Sequence, residues 1–270
     1  MGETAAMPGI DCTGAKVMPG SKLGLVFVHG FLGFREKRIL GRRIQYFRGV
    51  AQALSSMDMP LYFPVLPPTH CVAERATSLA EQLASYPAHN FALIGHSMGG
   101  LDARYVASLL DDDRRVRCVS TIGTPHRGTP VARWLLETDG VYQRFARRHW
   151  NPALADLAPQ SCATRNLALP DRGDVRYLSY AGMRPVGEQS PLLRPFGRLI
   201  EREMGANDGL VPVSSAAWGE FQDTVRADHL EQPGWSLGVP CRALERPFDH
   251  LAFFLRLAAH ARAISMPPDL

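Results

Sequence analysis

Lysine is almost missing from this chain: Lys16, Lys22 and Lys37 are its only three, so nearly all of its 30 basic residues are arginines. Against 26 acidic residues they leave a net charge of +4, spread along the chain without a long block of one sign. Such an arginine bias is expected from coding composition rather than from selection for phosphate contacts, so nucleic acid is not an expected partner. Cysteine is scarce as well. Cys12, Cys71, Cys118, Cys162 and Cys241 are odd in number and widely spaced, with no CxxC pair, which excludes the common zinc and dithiol redox motifs and fits a reducing compartment.

Long apolar runs are also lacking, and none approaches the length that crosses a bilayer. The opening stretch MGETAAMPGIDCTG carries Glu3 and has no apolar segment of the kind a signal peptide needs. Ala6 stands where a myristoylation signal wants Ser or Thr. The expectation is a soluble, cytoplasmic protein. At 270 residues, with 46% hydrophobic and 21% charged residues, one domain with a large core is the simplest organisation.

The most informative stretch is Phe91 to Gly100, FALIGHSMGG. A buried-strand run leads into Gly95-His96-Ser97-Met98-Gly99, and a helix-compatible segment follows at once. Strand, serine, helix is the context of a nucleophile elbow, whose turn is so sharp that the residues two places either side must be nearly free of side chain. Ser97 is therefore the candidate nucleophile. A serine hydroxyl becomes reactive at neutral pH only when an imidazole accepts its proton and a carboxylate fixes that imidazole's tautomer.

Other strands follow from β-branched and apolar runs: Gly24 to His29, Leu61 to Val65, Val116 to Ile122, Val175 to Ala181 and an edge strand over Glu220 to Arg226. Helical spacing appears over Arg43 to Ser56, Ala73 to Tyr86 and Asp249 to Ile264. Strands alternating with helices predict an α/β fold, with a mostly parallel central sheet covered by helices on both faces. The section 131–171, rich in Trp and Leu, does not read as another strand-helix repeat; it predicts a helical lid inserted into a single domain spanning residues 1–270.

The first strand ends in Gly30-Phe31-Leu32-Gly33, a loop whose backbone can approach a ligand, and the N–H of Phe31 is the first candidate for an oxyanion donor. Asp208 lies in a turn-forming Asn-Asp-Gly tripeptide, placed to orient a histidine from a later loop. Two histidines compete for that role, His229 in ADHLEQPGW and His250 in FDHLAFF.

Taken together, VHGFLGF (28–34), GHSMGGLDARY (95–105), GTPHRGTPVA (123–132), NDGLVPVSS (207–215) and DHL (228–230) resemble the lipases and esterases of the bacterial triacylglycerol lipase family, which have the α/β-hydrolase fold. The resemblance extends from about Leu23 to the last helix. It implies Ser97 as nucleophile, Asp208 as acid and His229 as base, with the N–H groups of Phe31 and Met98 as oxyanion donors. It also implies that His126 has a structural role and that His29 braces the oxyanion loop. Two departures are visible: Ser214 stands where secreted members carry a disulfide cysteine, and Glu231 and Trp235 stand at two positions of the family's structural calcium site.

The expected activity is hydrolysis of carboxylic esters through an acyl-enzyme, with no cofactor and no metal. The aromatic lid, with Leu32 and Phe34 lining the acyl side, implies an apolar acyl chain. The basic, aromatic segment YQRFARRHW (142–150) raises transient contact with a lipid surface. The alternatives from other classes are a non-hydrolytic ligand-binding protein on the same fold, or an acyltransferase.

Overall fold

The computed structural model describes residues 23–39, 42–236 and 247–265; Cys12, Cys241 and the N-terminal stretch discussed above lie outside them. The chain enters through β1 (Leu23–Val28), whose six residues are all buried. A two-stranded antiparallel hairpin follows, β2 (Glu36–Ile39) with β3 (Arg42–Gln45), then the short helix α1 (Val50–Ala53) and β4 (Leu61–Tyr62). Helix α2 (Val72–Ser85) precedes β5 (Asn90–His96) and α3 (Met98–Tyr105), and β6 (Val116–Ile122) comes next. Three helices, α4 (Pro130–Glu137), α5 (Val141–Leu157) and α6 (Pro159–Ala168), separate β6 from β7 (Arg176–Gly182). The remainder is α7 (Arg194–Met204), α8 (Val213–Ala216), β8 (Glu220–Val225) and α9 (His250–Ser265).

Six strands form one sheet in the order β4-β1-β5-β6-β7-β8, and every neighbouring pair is parallel. Parallel strands covered on both faces show no polar alternation, which is why β1 and β5 read as continuous apolar runs. Their side chains still alternate in direction. Leu25, Phe27 and Ile94 join Phe253, Phe254 and Leu257 of α9 on one face, while Val26, Val28 and Leu93 meet Leu79, Leu83 and Val106 on the other. Each large apolar side chain so buried contributes roughly 1.5–3 kcal/mol.

Two local expectations are corrected. Residues 43–56 do not form one helix: only Val50–Ala53 is helical, and the left-handed Gly49, at φ 72°, separates it from β3. Arg43 instead reaches across the hairpin to both carboxylate oxygens of Glu36, at 2.8 Å each. Ile44, Phe47, Val50 and Leu54 have helical spacing, but the cross-strand pairing decides the conformation of the first of them. The strand expected over 61–65 is only two residues long, since Pro64, Pro67 and Pro68 lack the N–H that a longer pairing would use.

Candidate active site

At the carboxyl end of β5 the chain reverses within one residue. Ser97 sits at φ 57°, ψ −131°, a conformation that L side chains rarely adopt. The surroundings hold it there: Ser97 N–H donates to the Ile122 carbonyl at 2.9 Å, and its own carbonyl accepts from Gly100 N–H at 3.1 Å and Thr124 Oγ1 at 2.8 Å. The tight turn needs Gly99, where a Cβ would stand 2.3 Å from the Val28 carbonyl oxygen. Ser97 lines the central cavity.

Asp208, fully buried, is held by the turn it belongs to. Its Oδ1 accepts from Leu210 N–H at 3.0 Å and Val211 N–H at 2.7 Å. Its Oδ2 accepts from His229 Nδ1 at 2.8 Å. A carboxylate only accepts, so His229 carries its proton on Nδ1 and presents a lone pair at Nε2, the tautomer of a general base.

The His229 loop is pinned from behind. Asp228 Oδ1 accepts from Leu230 and Glu231 N–H at 2.9 Å each, and its Oδ2 from Ser190 N–H at 2.7 Å. Glu231 is gripped by the buried Arg184 guanidinium at 2.8 and 3.0 Å. A structural calcium ion does not fit here, because the Glu231 oxygens already face a cation and Trp235 donates its indole N–H to the Tyr46 carbonyl at 2.8 Å. Among the described residues no group of three or more His, Cys, Asp or Glu side chains could hold a metal.

The loop after β1 carries the other donors. The N–H groups of Phe31 and Met98 have no hydrogen-bond partner among the described residues, whereas Gly30, Leu32 and Gly33 N–H are all bonded. Two free donors, one from this loop and one directly after Ser97, are what an oxyanion requires. His29 braces the loop: Leu66 N–H donates to its Nε2 at 3.1 Å, so its proton is on Nδ1 and is given to the Gly30 carbonyl at 3.0 Å. Burial holds His29 neutral, pushing its pKa down to about 4, with Arg75 adding to the effect. Arg75 itself forms a fully buried pair with Asp102 and donates to the His29 carbonyl at 2.7 Å.

Ser97, His229, Phe31, Leu32 and Phe34 line one cavity of about 400 Å³, whose remaining wall is mainly apolar, including Leu135, Trp150, Leu154 and Leu157 from the inserted helices. Trp150 packs edge-on against Phe31 at 5.6 Å between ring centres, so α5 covers the loop after β1 directly.

Of the two histidines weighed as the base, His250 falls elsewhere. It begins α9 and donates from Nε2 to the Arg48 carbonyl at 2.8 Å. His126 is buried against Thr121, Arg104 and the face of Trp218, with its pKa held well below the usual histidine range by burial first and then by Arg104. Three residues at the site carried no sequence signal. Tyr46 reaches it from the hairpin, His96 packs its ring 4.6 Å from that of His229, and Gln232 donates to Asp208 Oδ2 at 2.8 Å.

Comparisons with known proteins bear on the family and the fold. A model of the alpha/beta hydrolase fold matches residues 25–178. The chain is 27% identical to triacylglycerol lipase 2 of Saccharomyces cerevisiae over 79% of its own length and 72% of that protein's. It is 29% identical to a triacylglycerol lipase of Vibrio cholerae, covering 80% of each chain. Among solved structures a metagenomic carboxyl esterase superposes with a TM-score of 0.75 at 20% identity, over 90% of this chain and 76% of the other.

Proposed function

Given that the chain belongs to the alpha/beta hydrolase family, we propose that it is a serine carboxylic ester hydrolase that cleaves esters of apolar acyl chains. The observation that carries this reading is the Asp208–His229 pair, bonded at 2.8 Å, with His229 and Ser97 lining the same apolar cavity.

Ser97 Oγ attacks the ester carbonyl carbon while His229 Nε2 takes the hydroxyl proton. The imidazolium that forms is stabilised by Asp208, which stays ionised. The carbonyl oxygen gains the negative charge and is received by Phe31 and Met98 N–H, each donor contributing roughly 3 kcal/mol to the transition state. The tetrahedral adduct collapses, the C–O bond to the alcohol breaks, and His229 returns its proton to that alkoxide. Water, deprotonated by the same imidazole, then releases the acid and restores Ser97. The apolar wall offers nothing to a charged acyl group and gains from each buried methylene, about 0.8 kcal/mol apiece.

The inserted helices α4 to α6 act as a lid in this reading, and the mouth beneath them meets a lipid surface. Support comes from the large apolar side chains left exposed there: Leu32, Val141, Tyr142, Phe145 and Leu192, with Val141 at 78% and Leu192 at 65%. Charge supports it too, and here the even spread expected from the sequence needs revising. Residues 35–48, the hairpin and its exit, carry six basic side chains against Glu36 alone, more excess than the +4 of the entire chain. Phe34 and Tyr46, which flank the hairpin, line the cavity.

Hydrolysis of p-nitrophenyl esters of increasing acyl length tests the main reading. Turnover should rise with chain length until the cavity is filled and vanish in Ser97→Ala; turnover that survives Ser97→Ala defeats it.

A further inference from the structure

Asp208 Oδ2 has two donors, and only one is His229. The other is Gln232 Nε2, at the same distance of 2.8 Å. The Gln232 amide is fully buried in a slot that two glycines leave open. A Cβ at Gly182, where β7 ends, would lie 2.1 Å from Gln232 Nε2, and one at Gly123, just past β6, would lie 2.3 Å from Gln232 Oε1. The sheet ends are thus shaped to admit this one side chain against the carboxylate.

A second set of buried polar groups lies beside the pair, with the His96 ring 4.6 Å from that of His229. Gly30 N–H donates to Tyr46 Oη at 3.1 Å, and Tyr46 Oη lies 2.7 Å from His96 Nδ1. Burial pushes the Tyr46 pKa up to about 12, so its hydroxyl stays protonated. Burial first, and then His229, holds the His96 pKa well below the usual histidine range. His96 Nε2 and Gln232 Oε1 are each buried without a hydrogen-bond partner among the described residues.

We propose that Gln232 is a positioning residue for the acid–base pair: its amide shares Asp208 Oδ2 with His229, fixing the carboxylate's rotation and tempering its pull on the protonated imidazole. This rests on the triad reading above. The residue type matters because of what an amide is. A carboxylate at 2.8 Å from Asp208 would repel it unless the two shared a proton, and an apolar group would leave one lone pair of a buried anion unmet. The amide alone is both neutral and a donor.

The consequence is a direction for the pH profile. Without the amide, Asp208 is less well neutralised and holds the protonated His229 more tightly, so the base becomes available only at higher pH. Other charged or titratable groups near His229 are few and fixed: His96 from β5, kept neutral by burial, Asp228 bonded to three N–H groups, and Glu231 bound by Arg184.

The test is kcat/KM against pH for a soluble p-nitrophenyl ester in wild type, Gln232→Glu and Gln232→Met. Both substitutions keep the length of the side chain, and a thermal melt of each shows whether it folds. The acid limb should move up by about half a pH unit in Q232M, which removes the donor, and stay near wild type in Q232E, whose carboxyl shares a proton with Asp208 and so still donates. The activity deficit should shrink as pH rises. An acid limb in Q232M that coincides with wild type overturns the proposal, however far Tm or kcat falls, because a purely structural role lowers activity alike at every pH. If Q232M does not fold, Gln232→Leu takes its place, and an unmoved acid limb there overturns the proposal. Adding Ser97→Ala to each background separates the two failures: hydrolysis that survives it sinks the triad reading instead.

Discussion

His229 meets Asp208 twice. Its ring donates from Nδ1 to Oδ2 at 2.8 Å, and its main-chain N–H donates to the Asp208 carbonyl at 2.8 Å, across 21 positions of sequence. The second bond fixes where the loop runs, the first fixes which nitrogen carries the proton, and the two are separable by mutation. Asp208→Asn keeps the backbone contact but offers an NH₂ group to Nδ1, favouring the wrong tautomer. Steady-state kinetics should show kcat lower by roughly 10³–10⁴-fold with the thermal midpoint little changed. His229→Ala should lose activity on the same scale, and His250→Ala should not. A D208N enzyme within tenfold of wild type would remove Asp208 from the mechanism.

Strain at Ser97 gives a second prediction, on stability. At φ 57° the position favours glycine, although glycine ordinarily costs stability through its freedom in the unfolded chain. Ser97→Gly and Ser97→Ala should both be inactive, with S97G the more stable by about 1 kcal/mol in urea denaturation, the reverse of the usual order. If S97A is the more stable, the elbow stores no strain.

Much of this was legible in the sequence because each signal was local. The strand before Ser97, the turn chemistry of Asn207-Asp208-Gly209 and the free N–H beside Gly30 each depend on a few consecutive residues. The Gln232 slot was not legible, since it is made by Gly123, Gly182 and a glutamine from three separate segments, and a lone uncharged side chain carries no pattern. Residues 43–56 failed for a related reason. Apolar spacing that suits a helix was overridden by the Arg43–Glu36 pairing across a hairpin and by a left-handed glycine. His229 was separated from His250 by the family resemblance; in the structure His229 bonds Asp208 and His250 bonds the Arg48 carbonyl.

Three buried histidines set the acid stability. The pKa of His29 is pushed down to about 4, and those of His96 and His126 well below 6.5, in every case by burial first. Below pH 6.5 the unfolded chain takes up protons that the folded chain refuses, so stability falls as pH drops towards about 4. Asp102 works the other way. Burial pushes its pKa up to about 6, so the folded state binds that proton first and gains as pH falls from 6 towards 3.8. Three groups oppose one, and the net effect is loss on acidification. Urea midpoints at pH 7 and pH 5 should show it, and His126→Gln should lessen the difference. A midpoint that rises towards pH 5 would mean that Asp102 dominates.

The cationic hairpin makes a prediction about surfaces rather than chemistry. A surface that is both apolar and basic gains affinity for anionic phospholipid from two sources: buried apolar area, and about 1 kcal/mol for each basic side chain near the headgroups. Lys37 and Arg38 are exposed on the hairpin, and Arg144 and Arg148 are exposed on α5, beside Val141, Tyr142 and Phe145. Reversing Lys37 and Arg38 to glutamate together should therefore weaken cosedimentation with vesicles of phosphatidylglycerol by at least tenfold at low salt. Binding to phosphatidylcholine vesicles should change little, because the apolar rim is intact. Neither side chain lines the cavity, so hydrolysis of a dissolved short-chain ester should be unaffected. Added salt should reproduce the loss in wild type, since screening acts on the same charges. Equal binding of wild type to the two lipids would leave the hairpin's charge without a role at the membrane, and the exposed apolar rim as the only support for surface contact.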